Sequence, residues 1–392
     1  MKSKEIYLFF ALVFLEGITA NLVHPVTPSL IIALNLPDFI FGLAFACMST
    51  TFMLFSPFWG KMNENIGSRR VLLTCCLGYA LGQFFFFNAN VTEEIVVARL
   101  WSGMFSGGIV VSMMTYIVKI STENELSKNL TIYATLLAVG NATGYLIGGL
   151  VGKSNIYLPF YFQVSMLVVL GILFFVVCQK SFDKKFNLQH SFQTFIKSNP
   201  INTFLEIKPH LNLNLKILSI ITLFVTTATI CQDQNFNYYI KDVYNLDSSY
   251  NGLIKSMVAI LGLLLNSTLC KFIINKLDIS ISLKNLYFLL SIIAIGIFYL
   301  TSPFTFIGVN IVYYGFIIVC SPLLQFLFTS STKSLTTGIL IGYYNFIYSV
   351  GMIIGSLSSG ALYSLNGKLP FAFCFILLVI SSFMMIFRSK NI

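Results

Sequence analysis

The chain is a succession of apolar runs, most of about 20 residues, the length an α-helix needs to cross hydrocarbon, separated by short polar or charged breaks. Six runs fall at Ile6–Leu30, Phe39–Trp59, Val71–Phe87, Ile95–Ile117, Leu130–Val151 and Leu158–Cys178. Six more fall at Ile217–Tyr239, Leu253–Leu269, Leu286–Tyr299, Phe304–Phe328, Ile339–Leu362 and Leu369–Phe387. The runs are continuous and do not alternate apolar with polar residues, so they predict membrane helices and not the strands of a β-barrel. The expected fold is an all-α membrane protein of twelve transmembrane helices.

The longest polar stretch, Gln179–Asn214, carries Lys184, Lys185, Lys197 and Lys208 with Pro200 and Pro209. It predicts a cytoplasmic basic linker at 179–214 between a six-helix bundle at 1–178 and a second at 215–392. The halves show an internal repeat. Gly140, Gly144 and Gly149 in the fifth run recur 211 residues later as Gly351, Gly355 and Gly360 in the eleventh. Corresponding spans carrying the same glycines point to a duplicated, pseudo-symmetric architecture.

Composition sharpens the membrane reading. Of 392 residues, 56% are hydrophobic and 10% charged, against about 25% charged in soluble domains. The net charge of +10 does not indicate nucleic acid, because Lys and Arg lie in short loops between the apolar runs. If the N-terminus is cytoplasmic, the opposite side keeps only Lys153, Lys241 and Lys368. That asymmetry places both termini in the cytoplasm of a multi-pass protein of the plasma membrane. The eight cysteines form no CxxC or Cys/His cluster, so no metal, cofactor or disulfide framework is expected. The first apolar run lacks a small-residue cleavage site and reads as a span, not a removed signal. No nucleophile–base pair stands out, so the chain does not read as an enzyme.

Three segments carry motif-like spacing. The first is Gly60-Lys-Met-Asn-Glu64-Asn-Ile-Gly67-Ser-Arg69-Arg70-Val-Leu72, a basic, glycine-punctuated loop between spans two and three. The second is Arg99-Leu-Trp-Ser-Gly103 in span four. Its guanidinium must find a partner inside protein or snorkel to the nearby outer surface. The third is the series Gly140, Gly144, Gly148 and Gly149, which lines a helix face and lets another backbone approach. Together they resemble the major facilitator superfamily. Gly60, Gly67 and Leu72 match its loop G-x-L-A-D-R-x-G-R-K-x-x-L, with Glu64 in place of Asp and Arg69 in place of Lys. Arg99 and Gly103 match its span-four R-x-x-x-G, and the span-five series is similar to the exporters' G-x-x-x-G-P-x-x-G-G, with Tyr145 in place of proline. Pro25-Val-Thr-Pro28 resembles the end of span one in twelve-span drug:proton antiporters. The resemblance implies two bundles that alternate access, a conformational latch at Gly60, Glu64, Gly67, Arg69 and Arg70, and a part for Arg99 in proton coupling.

Glu16 lies about ten residues into span one, roughly 15 Å deep at 1.5 Å per residue. A carboxylate at that depth is expensive to ionise and reads either as a proton or cation site or as a hydrogen-bonded structural residue. Span seven holds Gln232-Asp233-Gln-Asn-Phe-Asn-Tyr-Tyr239. Gln232, Asn235 and Tyr239 share a helix face suited to a water-lined cavity, unless the span ends early and these residues form an outer loop. The expected proton-coupling set is therefore Glu16, Arg99 and Asp233, and the expected substrate cavity Glu16, Gln232, Asn235 and Tyr239. The reading that follows is a monomeric secondary transporter, surrounded by lipid, that exchanges protons for a small amphiphilic or cationic compound. An importer of a sugar-like metabolite and a non-transporting receptor are the alternatives.

Overall fold

The computed structural model describes residues 2–179, 212–330 and 337–390. The basic linker expected at 179–214 therefore lies almost wholly outside the described residues. Among the described residues the chain is helical and holds no strand. The helices of its first part are α1 (Lys2–Asn21), α2 (Thr27–Ala33), α3 (Ile40–Asn65), α4 (Ser68–Phe87), α5 (Thr92–Ile120), α6 (Glu123–Ser154) and α7 (Leu158–Val177). Those of its second part are α8 (Leu213–Asp242), α9 (Ser248–Leu265), α10 (Lys271–Lys276), α11 (Ile279–Tyr299), α12 (Pro303–Thr329), α13 (Thr337–Leu365) and α14 (Leu369–Lys390). A π-helical turn at Asn266–Cys270 joins α9 to α10, so that these three pieces make one span, Ser248–Lys276.

Eleven helical stretches among the described residues are long and apolar enough to cross a membrane. The remaining expected span begins with α1, whose apolar run is broken by Lys2, Lys4, Glu5 and Glu16. That first span is also not continuous to Leu30. It ends at Asn21 and restarts as α2 at Thr27, because Pro25 and Pro28 cannot donate to a continuous ladder. Pro28 is instead placed in the first turn of α2, where no donor is needed. Several helices start earlier than their apolar runs because polar caps extend them. Asn212 accepts from the Leu215 amide at 2.7 Å and Asp278 from the Ile281 amide at 2.9 Å, satisfying orphan N–H groups.

The chain divides into two compact units. The first contains Met1–Leu36, Cys47–Pro200 and Leu246–Ser256; the second contains Pro37–Ala46, Ile201–Asn245 and Met257–Ile392. Within the first unit α1 packs on α6 and α7, and α4 on α5 and α7. Within the second, α8 packs on α13 and α14, and α11 on α12 and α14. The two packing schemes correspond helix for helix. The repeat extends beyond the glycines of spans five and eleven. Asn35 and Asn245, 210 residues apart, both adopt a left-handed conformation at φ 52°, which Asn tolerates better than most residues. Gly42 and Gly252 share that spacing.

The core of the first unit is built from Phe9, Val13, Val71, Cys75, Tyr116 and Phe174 with their neighbours. Large apolar side chains also point outward, Val176 at 72% and Phe304 at 89% exposure, which only a hydrocarbon solvent rewards.

Candidate functional site

Glu16 sits on α1 in the first unit and is buried at 4% exposure. Its helix is seated on α6 by small residues. A Cβ at Gly140 would lie 3.1 Å from the Gly17 Cα, and side chains at Gly144 and Gly148 would fall on the backbone of Ile18 and Leu22. The glycines at 140, 144 and 148 thus meet α1 at successive turns. Gly149 faces elsewhere, toward Ser248 and Gly252 at the start of α9.

Around Glu16 the bundle presents Cys76 and Tyr79 from α4 and Tyr133 from α6, all within electrostatic reach of the carboxylate. From α7, the Gln163 amide donates to the carbonyls of Thr19 at 2.8 Å and Ala20 at 3.3 Å. Gln163 thereby fixes the last turn of α1 just beyond Glu16.

Arg99 does not snorkel. It is 4% exposed, its guanidinium lies 3.5 Å over the Phe86 ring, and Nη1 donates to the Met48 sulfur at 3.7 Å. Gly103, one turn along α5, explains how Met48 comes so near. A Cβ there would lie 2.8 Å from the Met48 carbonyl carbon, so only glycine lets α3 close onto α5. The R-x-x-x-G spacing thus places the guanidinium and the helix crossing that covers it on one face.

The interior of the first unit also holds polar side chains that the sequence pattern did not single out. Tyr79 is 3% exposed, stands beside Gln83 and Gln163, and is within electrostatic reach of both Glu16 and Arg99. Gln83, Gln163 and Ser102 are fully buried. Both amide atoms of Gln83, Oε1 of Gln163, Oγ of Ser102 and Nε of Arg99 make no hydrogen bond within the described residues. The available signal was Tyr79 and Gln83 at i, i+4 in an otherwise apolar run, and the lone Gln163 in another.

Asp233 belongs to the second unit. It accepts from Asn237 at 3.3 Å and lies within reach of Tyr313 and Tyr348. The span-seven residues are not an outer loop, since α8 stays helical to Asp242. Gln232 is fully buried and donates to Asn310 at 2.8 Å, while Asn235 is fully buried and donates to the Gly367 carbonyl at 3.4 Å. Tyr239 packs in an aromatic cluster with Tyr244, Phe306, Tyr363 and Phe371. These side chains tie α8 to α12 and to the turn before α14.

The motif at Gly60–Leu72 is mostly helix and not loop. Gly60 is inside α3, 3.7 Å from Val111 by its would-be Cβ, and the turn is confined to Ile66 and Gly67. Gly67 alone supplies a positive φ, at 90°. Glu64 is exposed, and the Arg69 guanidinium lies 4.1 Å over the Phe175 ring. Asn63, a residue outside the motif's matched positions, is fully buried. It donates to the Trp59 carbonyl at 2.6 Å and to the Ser112 hydroxyl at 2.9 Å, and its own backbone carbonyl accepts from Lys119 at 2.9 Å.

Residues 9–356 match the family model described as Major Facilitator Superfamily. The chain belongs to that superfamily. Solved members share its fold. The nucleoside transporter NupG superimposes with a TM-score of 0.75 at 13% identity, covering 98% of this chain and 98% of that one. The human organic anion transporter MFSD10 (TETRAN) gives 0.66 at 14% identity, with 98% and 99% covered. Among curated relatives, the quinolone resistance protein NorA of Staphylococcus aureus is 26% identical over 175 residues, 45% of this chain and 44% of that protein. Multidrug resistance protein 1 of Bacillus subtilis strain 168 is 26% identical over 175 residues, 44% of this chain and 45% of that protein. The matched stretch thus spans less than half the length of either relative. Membership of the superfamily and the eleven apolar helical stretches among the described residues make the chain an integral, multi-pass membrane protein.

Proposed function

We propose that this major facilitator protein is a proton-coupled exporter of small amphiphilic or cationic compounds, working by alternating access in the plasma membrane. The observation that carries the reading is the buried carboxylate of Glu16 in a bundle interior that also holds Arg99. A carboxylate so placed is costly to ionise and suits a site that holds either a proton or a cation. The quinolone- and multidrug-resistance relatives support export, within the partial length they match. Asp233, with its tyrosine neighbours, is a second proton-accepting candidate. The Gly67 turn with Glu64, Arg69 and Arg70 would bias the conformational equilibrium, and both termini would be cytoplasmic. An importer of a polar metabolite draws its support from the amides of α8, of which the Gln232 and Asn235 NH2 groups donate to Asn310 and to the Gly367 carbonyl.

The test is gradient-driven accumulation of ethidium by proteoliposomes containing wild type or Glu16→Gln. The variant should fail to concentrate ethidium against a gradient while remaining folded, because Gln is nearly isosteric. Accumulation at the wild-type rate would make Glu16 a structural residue and remove the mechanism. External labelling of cysteines placed at His190 or His210 in intact cells would overturn the cytoplasmic orientation of the termini.

A further inference from the structure

Helix α3 is continuous over Ile40–Asn65, yet its residues divide between the two units. Pro37–Ala46, its first turns and the turn before them, belong to the second unit, and the residues from Cys47 onward to the first. The two ends are held by different chemistry. In the first unit the Trp59 indole donates to the Met104 carbonyl at 2.6 Å and Asn63 to the Ser112 hydroxyl at 2.9 Å. Trp59 and Asn63 are buried, so water does not replace those partners. In the second unit the Tyr238 hydroxyl of α8 donates to the Asp38 carboxylate at 2.8 Å, and the Phe41 ring stacks on the same tyrosine with centroids 4.4 Å apart. Asp38 is half-buried, so water solvates its carboxylate once the phenol leaves. After Phe41 the buried residues of this end, Gly42, Ala44 and Ala46, are all small. Gly42 lies against α13, where a Cβ would come within 2.8 Å of the Gly360 nitrogen.

We propose that the Asp38–Tyr238 hydrogen bond, with Phe41 stacked on the same tyrosine, is a releasable strap. It holds the start of α3 on the second unit in one conformation of the transport cycle and lets go in the other. This rests on the reading of the chain as an alternating-access transporter. Because α3 is continuous, a motion that carries its body with the first unit draws its start away from α8. The bond that then breaks is a single one to a half-buried carboxylate, while the bonds that hold the body are buried. Tyr363 supplies the contrast. Its hydroxyl donates to Asp242 at 2.6 Å, but α13 and α8 both lie wholly in the second unit and pack on each other, so that bond moves with them and is kept. The strap is also one-sided. Ser248, 210 residues beyond Asp38, belongs to the first unit and donates to the Gly149 carbonyl at 3.0 Å. One half of the repeat thus carries a carboxylate–phenol bond where the other carries a neutral one, and the charge-assisted bond is the stronger.

The experiment follows maleimide labelling of a reporter cysteine, Ala44→Cys, in the purified full-length protein. Ala44 is 2% exposed, and the half-buried Cys47 is replaced by Ser to remove its signal. Tyr238→Phe removes only the phenol hydroxyl, and Asp38→Ala removes its acceptor. Each should raise the labelling rate about tenfold, the equilibrium factor of a hydrogen bond to a charged group. The two together should do no more than either alone, because they remove the same bond. Tyr363→Phe, which breaks a bond inside the second unit, should leave the rate unchanged. A Tyr238→Phe rate equal to that of the parent overturns the proposal. So does a Tyr363→Phe rate that rises as far, since that marks a general loosening. Should Tyr238→Phe not yield monodisperse protein, Asp38→Ala carries the same expectation and the same refutation. Wild-type proteoliposomes that accumulate no ethidium under a proton gradient defeat the transport reading instead. Accumulation together with an unshifted Tyr238→Phe labelling rate defeats the strap alone, so the two failures are distinguishable.

Discussion

Alanine at Gly149 or Gly360 should destabilise the protein, although alanine is the better helix former. A Cβ at Gly149 would lie 2.6 Å from the Ser248 carbonyl oxygen and 2.8 Å from the Gly252 Cα, and one at Gly360 would lie 2.6 Å from the Phe39 carbonyl oxygen. These positions fall roughly 0.8 Å short of the 3.4 Å at which ordinary contact begins. The atoms met are backbone, so no rotamer change relieves the clash and the helices must part. Overpacking of that kind costs about 1–3 kcal/mol, toward the upper end when backbone must move. Helix propensity returns about 1 kcal/mol, leaving a net loss of about 2 kcal/mol. Gly296 on α11 and Gly308 on α12 serve as controls, since a Cβ at either meets nothing within 4 Å. Alanine there should stabilise by up to about 1 kcal/mol. Thermal unfolding in detergent, followed by a thiol-reactive dye or by tryptophan fluorescence, should separate the two pairs by at least ~4 °C. If the Gly149 and Gly360 variants melt as high as the Gly296 and Gly308 variants, the close backbone approach is not what those glycines provide.

Replacing Arg69 and Arg70 together with Ala should lower the transport rate and leave equilibrium ethidium binding largely intact; a wild-type rate would remove the latch. Asn63→Ala should cost about 1–3 kcal/mol, because it deletes two buried hydrogen bonds and strands the Ser112 hydroxyl, and an unchanged melting temperature would contradict the anchoring of α3 to α5. At the start of α9, Asp247 is slightly buried, which opposes its ionisation. Hydrogen bonds from the Ser249 hydroxyl and amide and the Lys153 ammonium at 3.6 Å outweigh that and hold it below the ordinary carboxylate range. Its folded-state affinity for protons is depressed, so its contribution to stability is present at neutral pH. That contribution fades as pH falls through and below the ordinary range. Asp247→Asn should therefore lower the melting temperature slightly at pH 7, by less than about 1 kcal/mol for so exposed a pair, and not at all near pH 2. A difference that persists at pH 2 would refute this assignment.

Hydropathy alone determined that the chain is helical and crosses a membrane many times, since runs of that length leave no other way to satisfy backbone hydrogen bonds in lipid. Glu16 and Arg99 were legible for the same reason, as charges in hydrocarbon stand out. The motif spacings named the superfamily. Other features appeared only in three dimensions. Tyr79, Gln83 and Gln163 are uncharged and scattered over two helices, and only the packing of α4 on α7 brings them together. Gln232 and Asn235 read as a cavity wall by periodicity, yet their partners Asn310 and Gly367 lie 78 and 132 residues away. Periodicity assigns residues to a face without telling whether that face meets water or another helix. Gly60 looked like a turn residue and is helical, because a glycine serves a tight turn and a close helix crossing equally well. A linear pattern records how apolar and small a position is; which neighbour that permits is decided by the packing of helices distant in the chain.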